Sequence, residues 1–336
     1  MFTKNMQNLE TVYNKTKIKY SDIRIFDVLS SLFKSTTRDR ANMLRESIIG
    51  AILNIKIPDI FYLLDEWKRL RRELNKYIET LGKKRNIIFD TFKCIHKAGR
   101  GNQYDFDIIL NNIIVINVEF KFNAISVIET PQFVSIGKPS RFLNTNFEEY
   151  YYDNYLPDIA KKADISIPDR DTYIKTVGRS EVECMKCFKE KYDTDKDFNL
   201  FCKKIDKQAI KEFIQMCDLD VGLLSDYLSK TQTDKIYMCY KDNCFHLDEV
   251  DPALYIINKV IKKEPTNFIC ETNNGHKLEV KLRFKNGCGL QFPALQIKRK
   301  IPTVKQLRLL CTENKLPVAR LKKQIIELLD SKNIRY

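Results

Sequence analysis

The stretch YDFDIILNNIIVINVEFKF, residues 104–122, decides the fold expected for this chain. Its second half alternates apolar residues with positions that turn polar only at Asn117, Glu119 and Lys121. Alternation with a period of two is typical of a β-strand that buries one face. The apolar beginning of this strand indicates a central place in a sheet, and its polar end is expected to open into a cleft.

The strand before it carries Asp105 and Asp107 on one face. A two-residue turn between the strands would place Asp107 opposite the apolar Ile116, where a carboxylate would cost several kcal/mol. A three-residue loop (111–113) instead pairs Asp105 with Glu119 and keeps the apolar residues together. The three-residue loop is therefore the predicted connection.

Carboxylates and an ammonium group at one strand end suit metal-assisted phosphoryl chemistry. Mg²⁺ takes oxygen ligands, often only one or two carboxylates completed by water and phosphate oxygens. Asp105, Asp107 and Glu119 are the candidate ligands and, with Lys121, the candidate catalytic residues. Lys121 would orient or deprotonate the attacking water and stabilise charge on the phosphate.

The order of Asp, a hairpin and then Glu-Phe-Lys at 119–121 resembles the PD-(D/E)xK nuclease superfamily, which includes many type II restriction endonucleases. The resemblance covers roughly residues 40–135 and implies a mixed central sheet flanked by helices. The proline that the family has before its aspartate is replaced by Tyr104 or Phe106, so the choice of metal-binding aspartate stays open. Some relatives add a helix glutamate, for which the candidates are Glu46 and Glu73, and Gln132 is expected near the site.

The rest of the chain fits an α/β protein with a helical insertion and a small helical C-terminal domain. Helical periodicity dominates before residue 84, strands follow to residue 122, and a mostly helical insertion spans about 145–235. Strands return from residue 236. We predict a nuclease-like domain over 1–300, with its core at about 40–135 and 236–300, and a second domain over 302–332.

The C-terminal segment is strongly basic. Eleven Lys or Arg residues stand against three Asp or Glu between Lys298 and Tyr336, in a chain whose net charge is +14. Two short amphipathic helices in this segment resemble the SAP motif, which implies binding to the DNA backbone. The residues expected to contact DNA there are Lys305, Arg308, Arg320, Lys322 and Lys323. The glycines that the motif usually has are absent, with Lys315 at the first of these positions, and a hairpin that binds protein is the alternative.

Two further motifs each allow two interpretations. Arg283 and Lys285 precede Gly287 and Gly289, which fits either a DNA-facing hairpin or an ordinary tight turn. The pair Cys184 and Cys187 has the spacing of zinc ligands but lacks a matching second pair, so buried thiols are the favoured interpretation.

Together these patterns predict a Mg²⁺-dependent DNA endonuclease, most naturally of the restriction type, that acts on double-stranded DNA. The alternatives are a non-catalytic DNA-binding protein on a nuclease-like scaffold and a repair or recombination nuclease that recognises DNA structure. A homodimer would suit cleavage of both strands at a symmetric site. No apolar stretch reaches the roughly 18 residues that span a bilayer, and the first residues have no apolar core of the signal-peptide type, so a soluble intracellular protein, cytoplasmic or nuclear, is expected.

Overall fold

A computed structural model describes residues 26, 38–57, 59–97, 103–127, 130, 132–134, 139–177, 183–284, 293–300, 302–319 and 322–332. The chain divides into two compact units. Unit 1 comprises Met1–Thr130 and Thr231–Val250, and unit 2 comprises Pro131–Lys230 and Asp251–Tyr336. The predicted mixed α/β class is confirmed, since both units combine helices with one five-stranded sheet.

Unit 1 begins with helices, as the sequence predicts. Helix α1 spans Arg38–Leu53, a 3-10 helix spans Asp59–Leu63, and α2 spans Asp65–Lys84. Helix α2 continues past Gly82 to a cap at Arg85. Gly82 serves packing, because a Cβ atom there would lie 2.4 Å from Cε1 of Phe89.

The sheet of unit 1 is mixed and has the order β1-β2-β3-β5-β6. Strands β1 (Phe92–His96), β2 (Phe106–Leu110) and β3 (Ile114–Phe122) form an antiparallel meander. Strand β5 (Ile236–Lys241) lies parallel to β3, and β6 (Cys244–Asp248) pairs antiparallel with β5. The predicted central place of β3 is therefore confirmed.

In one hydrophobic core cluster, α1 and α2 pack against the apolar side chains of the sheet. It includes Phe106 and Ile108 of β2 and the even-numbered residues of β3 from Ile116 to Phe120. Trp67, Leu70, Leu74, Tyr77, Ile78 and Leu81 fill it from α2. The first residues of β3 differ from expectation, since Ile114 and Val115 are exposed and the core begins only at Ile116.

Helices dominate the first part of unit 2. They are α3 (Phe147–Asn154), α4 (Leu156–Ala163), α5 (Arg170–Thr176), α6 (Glu183–Thr194), α7 (Lys196–Met216) and α8 (Val221–Gln232). Side-chain caps from Asn146, Asp169 and Asp195 start α3, α5 and α7. Each cap satisfies backbone N–H groups that the first helical turn leaves without a partner.

The sheet of unit 2 is antiparallel, with the order β4-β10-β9-β8-β7. Its strands are β4 (Gln132–Val134), β7 (Ile257–Glu264), β8 (Asn267–Thr272), β9 (Lys277–Phe284) and β10 (Pro293–Arg299). Within the described residues of the segment 236–300, which was grouped with the nuclease-like core, β5 and β6 are the strands that join the sheet of unit 1.

Two helices, α9 (Val304–Glu313) and α10 (Lys322–Ser331), end the described chain at the predicted positions. Leu307, Cys311, Ile325 and Leu329 form a small buried core between them. Among the residues that the structure describes, no helix is long and apolar enough to cross a membrane.

Candidate active site

The β2–β3 hairpin has the predicted register. Asp107 pairs with Asn117 and Phe106 pairs with Val118, and the connecting loop is 111–113. The backbone N–H of Asp105 donates to the carbonyl of Val118 at 3.0 Å, which brings Asp105 next to Glu119 as expected.

The Asp105 carboxylate is fixed at the sheet by a backbone group. Its Oδ2 accepts a hydrogen bond of 2.8 Å from the N–H of Phe120. Burial raises the pKa of Asp105 to about 7, and the negative charges of Glu46 and Glu119 add to the rise. Because buried carboxylates that lie close together resist ionisation, this position favours the arrival of positive charge.

Glu119 lies between two lysines. Its Oε1 contacts the ammonium of Lys121, and its Oε2 contacts the ammonium of Lys235. Burial acts to raise the pKa of Glu119, but the charges of the two lysines outweigh it and lower that pKa. Glu119 is therefore a stable carboxylate at neutral pH.

Lys235 is a residue of this site that the sequence analysis did not find. Its side chain is 3% exposed, and its ammonium also donates to the backbone carbonyl of Gln103. Burial lowers the pKa of Lys235 against the opposing effect of Glu119. The position of Lys235 directly before the buried strand β5 is the local sequence signal for it. Its partner Glu119 lies on β3, which pairs with β5 in parallel and is distant in the sequence.

Of the two candidate helix glutamates, Glu46 lies close enough to Asp105 to raise its pKa. Its Oε2 also lies 3.2 Å from Nε2 of His96, at the end of β1. Glu73, in contrast, accepts a 3.2 Å hydrogen bond from Nε of Arg72 on α2. Glu46 is therefore the helix carboxylate associated with Asp105.

Asp107 has a different set of contacts. Its Oδ2 lies 3.2 Å from the ammonium of Lys97, and its charge acts on Cys94 and Tyr104. Asp105 and Asp107 share a strand face in the hairpin, but Asp105 is the one that interacts with Glu119. Asp105, rather than Asp107, is therefore the aspartate that interacts with Glu119.

The donor set suits Mg²⁺ in type, since Asp105 and Glu119 offer hard carboxylate oxygens. Within the described part of the chain, however, no three His, Cys, Asp or Glu side chains form a group placed to hold one ion. A cation at Asp105 and Glu119 would thus need water or phosphate oxygens to complete its shell, and it would compete with Lys235 for Oε2.

The other predicted residues lie in unit 2. Lys305 and Arg308 are exposed on α9, and Lys322 and Lys323 begin α10. Nη1 of Arg283 donates to Oε1 of Gln296 at 3.3 Å, across the β9–β10 pair. Gln132 pairs with Ile297 in the second sheet.

The structure describes only some of the remaining candidate residues. Lys285, Gly287, Gly289 and Arg320 lie outside the described residues. Cys184 and Cys187 fall on α6, and the Cys187 side chain is exposed with a free thiol.

Comparison with known proteins gives no relative. The chain matches no protein-family model, no curated protein and no solved structure.

Proposed function

We propose that unit 1 hydrolyses phosphodiester bonds in DNA with the help of a divalent cation such as Mg²⁺. The proposal is carried by one observation: Asp105, Glu119 and Lys121 come together at the polar end of a central strand. The Asp-hairpin-Glu-x-Lys order of the sequence, with its resemblance to PD-(D/E)xK nucleases, supports the same chemistry.

Asp105 and Glu119 would hold the cation, which when bound would lower the pKa of a coordinated water and stabilise charge on the phosphate. The Phe120 N–H orients Oδ2 of Asp105, and the depressed pKa of Glu119 keeps that carboxylate ionised. Lys121 places its ammonium beside Glu119, where it can donate to a phosphate oxygen or to the attacking water.

Glu46 has a supporting role in this scheme. Its charge raises the pKa of Asp105, and its carboxylate is held by His96 rather than by a lysine. Glu46 and Glu119 both act on Asp105, against the opposing charge of Lys121, and a divalent cation at Asp105 would relieve this repulsion between carboxylates.

The restriction type is the form of nuclease that the sequence resemblance favours. In this proposal the basic C-terminal helices α9 and α10 bind the DNA backbone and raise the local concentration of substrate at the site. A homodimer is proposed for cleavage of both strands.

The test is nicking of supercoiled plasmid with Mg²⁺ or with EDTA, using isosteric substitutions. Glu119→Gln, Lys121→Met and Asp105→Asn are each expected to lower cleavage by two orders of magnitude or more, as expected for loss of a transition-state contact. DNA binding should stay within a few-fold of the unsubstituted protein.

Asp107→Asn is the matched control, because Asp107 lies on the same strand face but contacts Lys97 instead of Glu119. It should cleave at a nearly normal rate. Equal losses in the Asp105 and Asp107 variants, or Mg²⁺-independent nicking, would rule out this assignment of roles.

A non-catalytic DNA-binding protein is the second candidate. It is favoured by the contacts of Glu119, both of whose oxygens are already paired with ammonium groups. Binding of DNA without any Mg²⁺-dependent nicking, over a range of DNA substrates that includes ends and junctions, would decide for it.

A further inference from the structure

Helix α2 carries a row of polar side chains, four of them cations, on the side opposite to its buried face. The row, here called the α2 basic stripe, consists of Lys68, Arg71, Arg72, Asn75, Lys76 and Glu79. These residues border a shallow surface region of about 430 Å³ that is open to solvent. All six are exposed and follow the helical spacing of three and four, so they form one continuous surface of unit 1.

The positive charge of the stripe is only partly neutralised within the protein. Among the described residues, Lys68 and Lys76 make no ion pair. Arg72 bonds Glu73, while the guanidinium carbon of Arg71 lies 4.6 Å from the ring centroid of Tyr62. The four cations of the stripe therefore outnumber the two carboxylates beside them, Glu79 and the Glu73 that pairs with Arg72.

We propose that the α2 basic stripe binds the sugar–phosphate backbone of double-stranded DNA. The inference rests on the proposed function, and it adds a substrate-holding surface to the unit that contains the candidate site. From Lys68 to Lys76 the helix rises about 12 Å, which matches about three to four phosphates of one DNA strand along its axis. Such contacts position the duplex without reading its sequence.

An anionic membrane would offer similar charge, but the stripe fits it poorly. Helices that lie on membranes bury an apolar face among the lipids. The apolar face of α2 is already used, since Trp67, Leu74 and Tyr77 are at most 2% exposed in the core of unit 1. The stripe itself contains only polar and charged side chains.

The test compares two triple variants of the full chain with equal change in net charge. The stripe variant is Lys68→Gln/Arg72→Gln/Lys76→Gln, which spares the contact of Arg71 with Tyr62. The control is Lys203→Gln/Lys204→Gln/Lys207→Gln on α7, where the three lysines are also exposed. Glutamine keeps helix propensity close to that of lysine and arginine, so both variants should fold.

Binding to two unrelated 20-base-pair duplexes is measured by fluorescence anisotropy in EDTA, at several salt concentrations. The stripe variant should lower the slope of log affinity against log salt by about 2 to 3, and weaken binding at 0.1 M salt on the order of a hundredfold. The loss should be the same for both duplexes. The control variant should change the slope by less than about 1.

Three results would overturn the inference: an unchanged salt slope, an equal loss in the control variant, or weaker binding to phosphatidylserine vesicles with normal binding to DNA. Circular dichroism of both variants excludes unfolding as the cause of any loss. Because binding is measured without metal, failure of the stripe is distinguishable from failure of the nuclease proposal, which appears as absence of Mg²⁺-dependent nicking in the unsubstituted protein.

Discussion

Lys235 decides how the candidate site behaves before a cation arrives. Its ammonium is almost fully buried and lies against Glu119 and the carbonyl of Gln103. A buried lysine keeps its charge only when such partners compensate for lost hydration. The same contact occupies the Glu119 oxygen that a divalent cation would use, so Lys235 and the cation compete.

Replacing Lys235 with methionine should therefore strengthen metal binding. Lys235→Met keeps the apolar stem but removes the competing charge, and we expect the Mn²⁺ dissociation constant to fall about tenfold or more, as judged from the strength of a close ion pair. Isothermal titration calorimetry with Mn²⁺ measures it. Lys97→Met is the control, because Lys97 contacts Asp107. An unchanged or weaker affinity in Lys235→Met would contradict the competition.

At the scale of residues, the sequence predicts the contact between Asp105 and Glu119, which share a local hairpin. It does not predict the contact of Lys235, which lies outside that hairpin. Alternation along β2 and β3 is enough to bring Asp105 opposite Glu119, since one register keeps the apolar residues together. Lys235 reaches Glu119 only because β5 pairs parallel to β3 after a helical insertion, and no local pattern encodes that pairing.

The β2–β3 hairpin depends on two asparagines with positive φ, 50° at Asn111 and 59° at Asn112. Asparagine adopts this left-handed conformation more readily than most residues. Only Asn111 also connects the loop to the chain before β1. Its Oδ1 accepts from the N–H groups of Asp90 and Thr91, and its Nδ2 donates to the carbonyl of Ile88.

This difference predicts unequal costs for the same substitution. Asn111→Ala should lower the free energy of unfolding by about 2 kcal/mol, because it loses side-chain hydrogen bonds and strains the backbone. Asn112→Ala loses only the conformational preference and should cost about 1 kcal/mol. Urea unfolding of both variants measures the difference, and equal costs would show that the Asn111 hydrogen bonds contribute nothing.

The turn after α9 makes a related prediction. Lys315, at the position where the SAP resemblance expects glycine, has φ 54°, and the N–H of the following Leu316 donates to the carbonyl of Cys311 at 2.8 Å. Lys315→Gly should relieve the strain and stabilise the helix pair by up to about 1 kcal/mol. Amide hydrogen exchange of α9 measures it.

Asn314→Gly is the control for that experiment, because Asn314 has a negative φ and its Nδ2 donates to the carbonyl of Leu310 at 2.8 Å. It should speed exchange in α9. If both substitutions accelerate exchange, the left-handed residue is not strained.

Element boundaries show which sequence patterns are informative. The apolar alternation of β2 and β3 is strong, and these strands lie where it predicts them. Strand β7 lacks such an alternation, because Lys259, Lys262 and Lys263 interrupt its apolar residues at irregular spacing, and it lies at the edge of its sheet with much of its surface exposed. Charged edge strands of this kind resist pairing with other chains, and their sequences resemble loops.

At the scale of the whole molecule, the sequence predicts the class but not the division of the chain. Strands after residue 250 were expected in the core sheet, yet β7–β10 pair among themselves and with β4. Strands of either sheet have similar composition, so partner choice depends on contacts between distant segments of the chain. The insertion between β3 and β5 thus belongs to a unit that is completed by the C-terminal segment Asp251–Tyr336.

Unit 2 contains a buried acid that connects its stability to pH. Asp206 on α7 is 7% exposed, and its Oδ1 accepts a 2.9 Å hydrogen bond from the hydroxyl of Tyr151 on α3. Burial raises the pKa of Asp206 to about 8, against the opposing effect of that hydrogen bond. The neighbouring groups that titrate are Cys202 and Tyr192, whose own pKa values are raised by burial to about 12, so they stay neutral near pH 8.

The sign of the pH dependence follows from this shift. Between the ordinary carboxyl pKa near 4 and the raised value near 8, folded Asp206 holds a proton that the unfolded chain has released. The free energy of unfolding contributed by Asp206 should therefore fall as pH rises through this window, by at most about 1.4 kcal/mol per pH unit, and level off above pH 8.

Asp206→Asn cannot ionise and should remove this decline, so its stability relative to the unsubstituted protein should rise from pH 5 to pH 8. Thermal unfolding at half-unit pH steps measures the difference, which cancels the contributions of other groups such as Asp105. Asp193→Asn, at an exposed position paired with Lys189, should leave the pH profile unchanged. If the difference between Asp206→Asn and the unsubstituted protein is constant across this range, Asp206 does not titrate with a raised pKa in the folded chain.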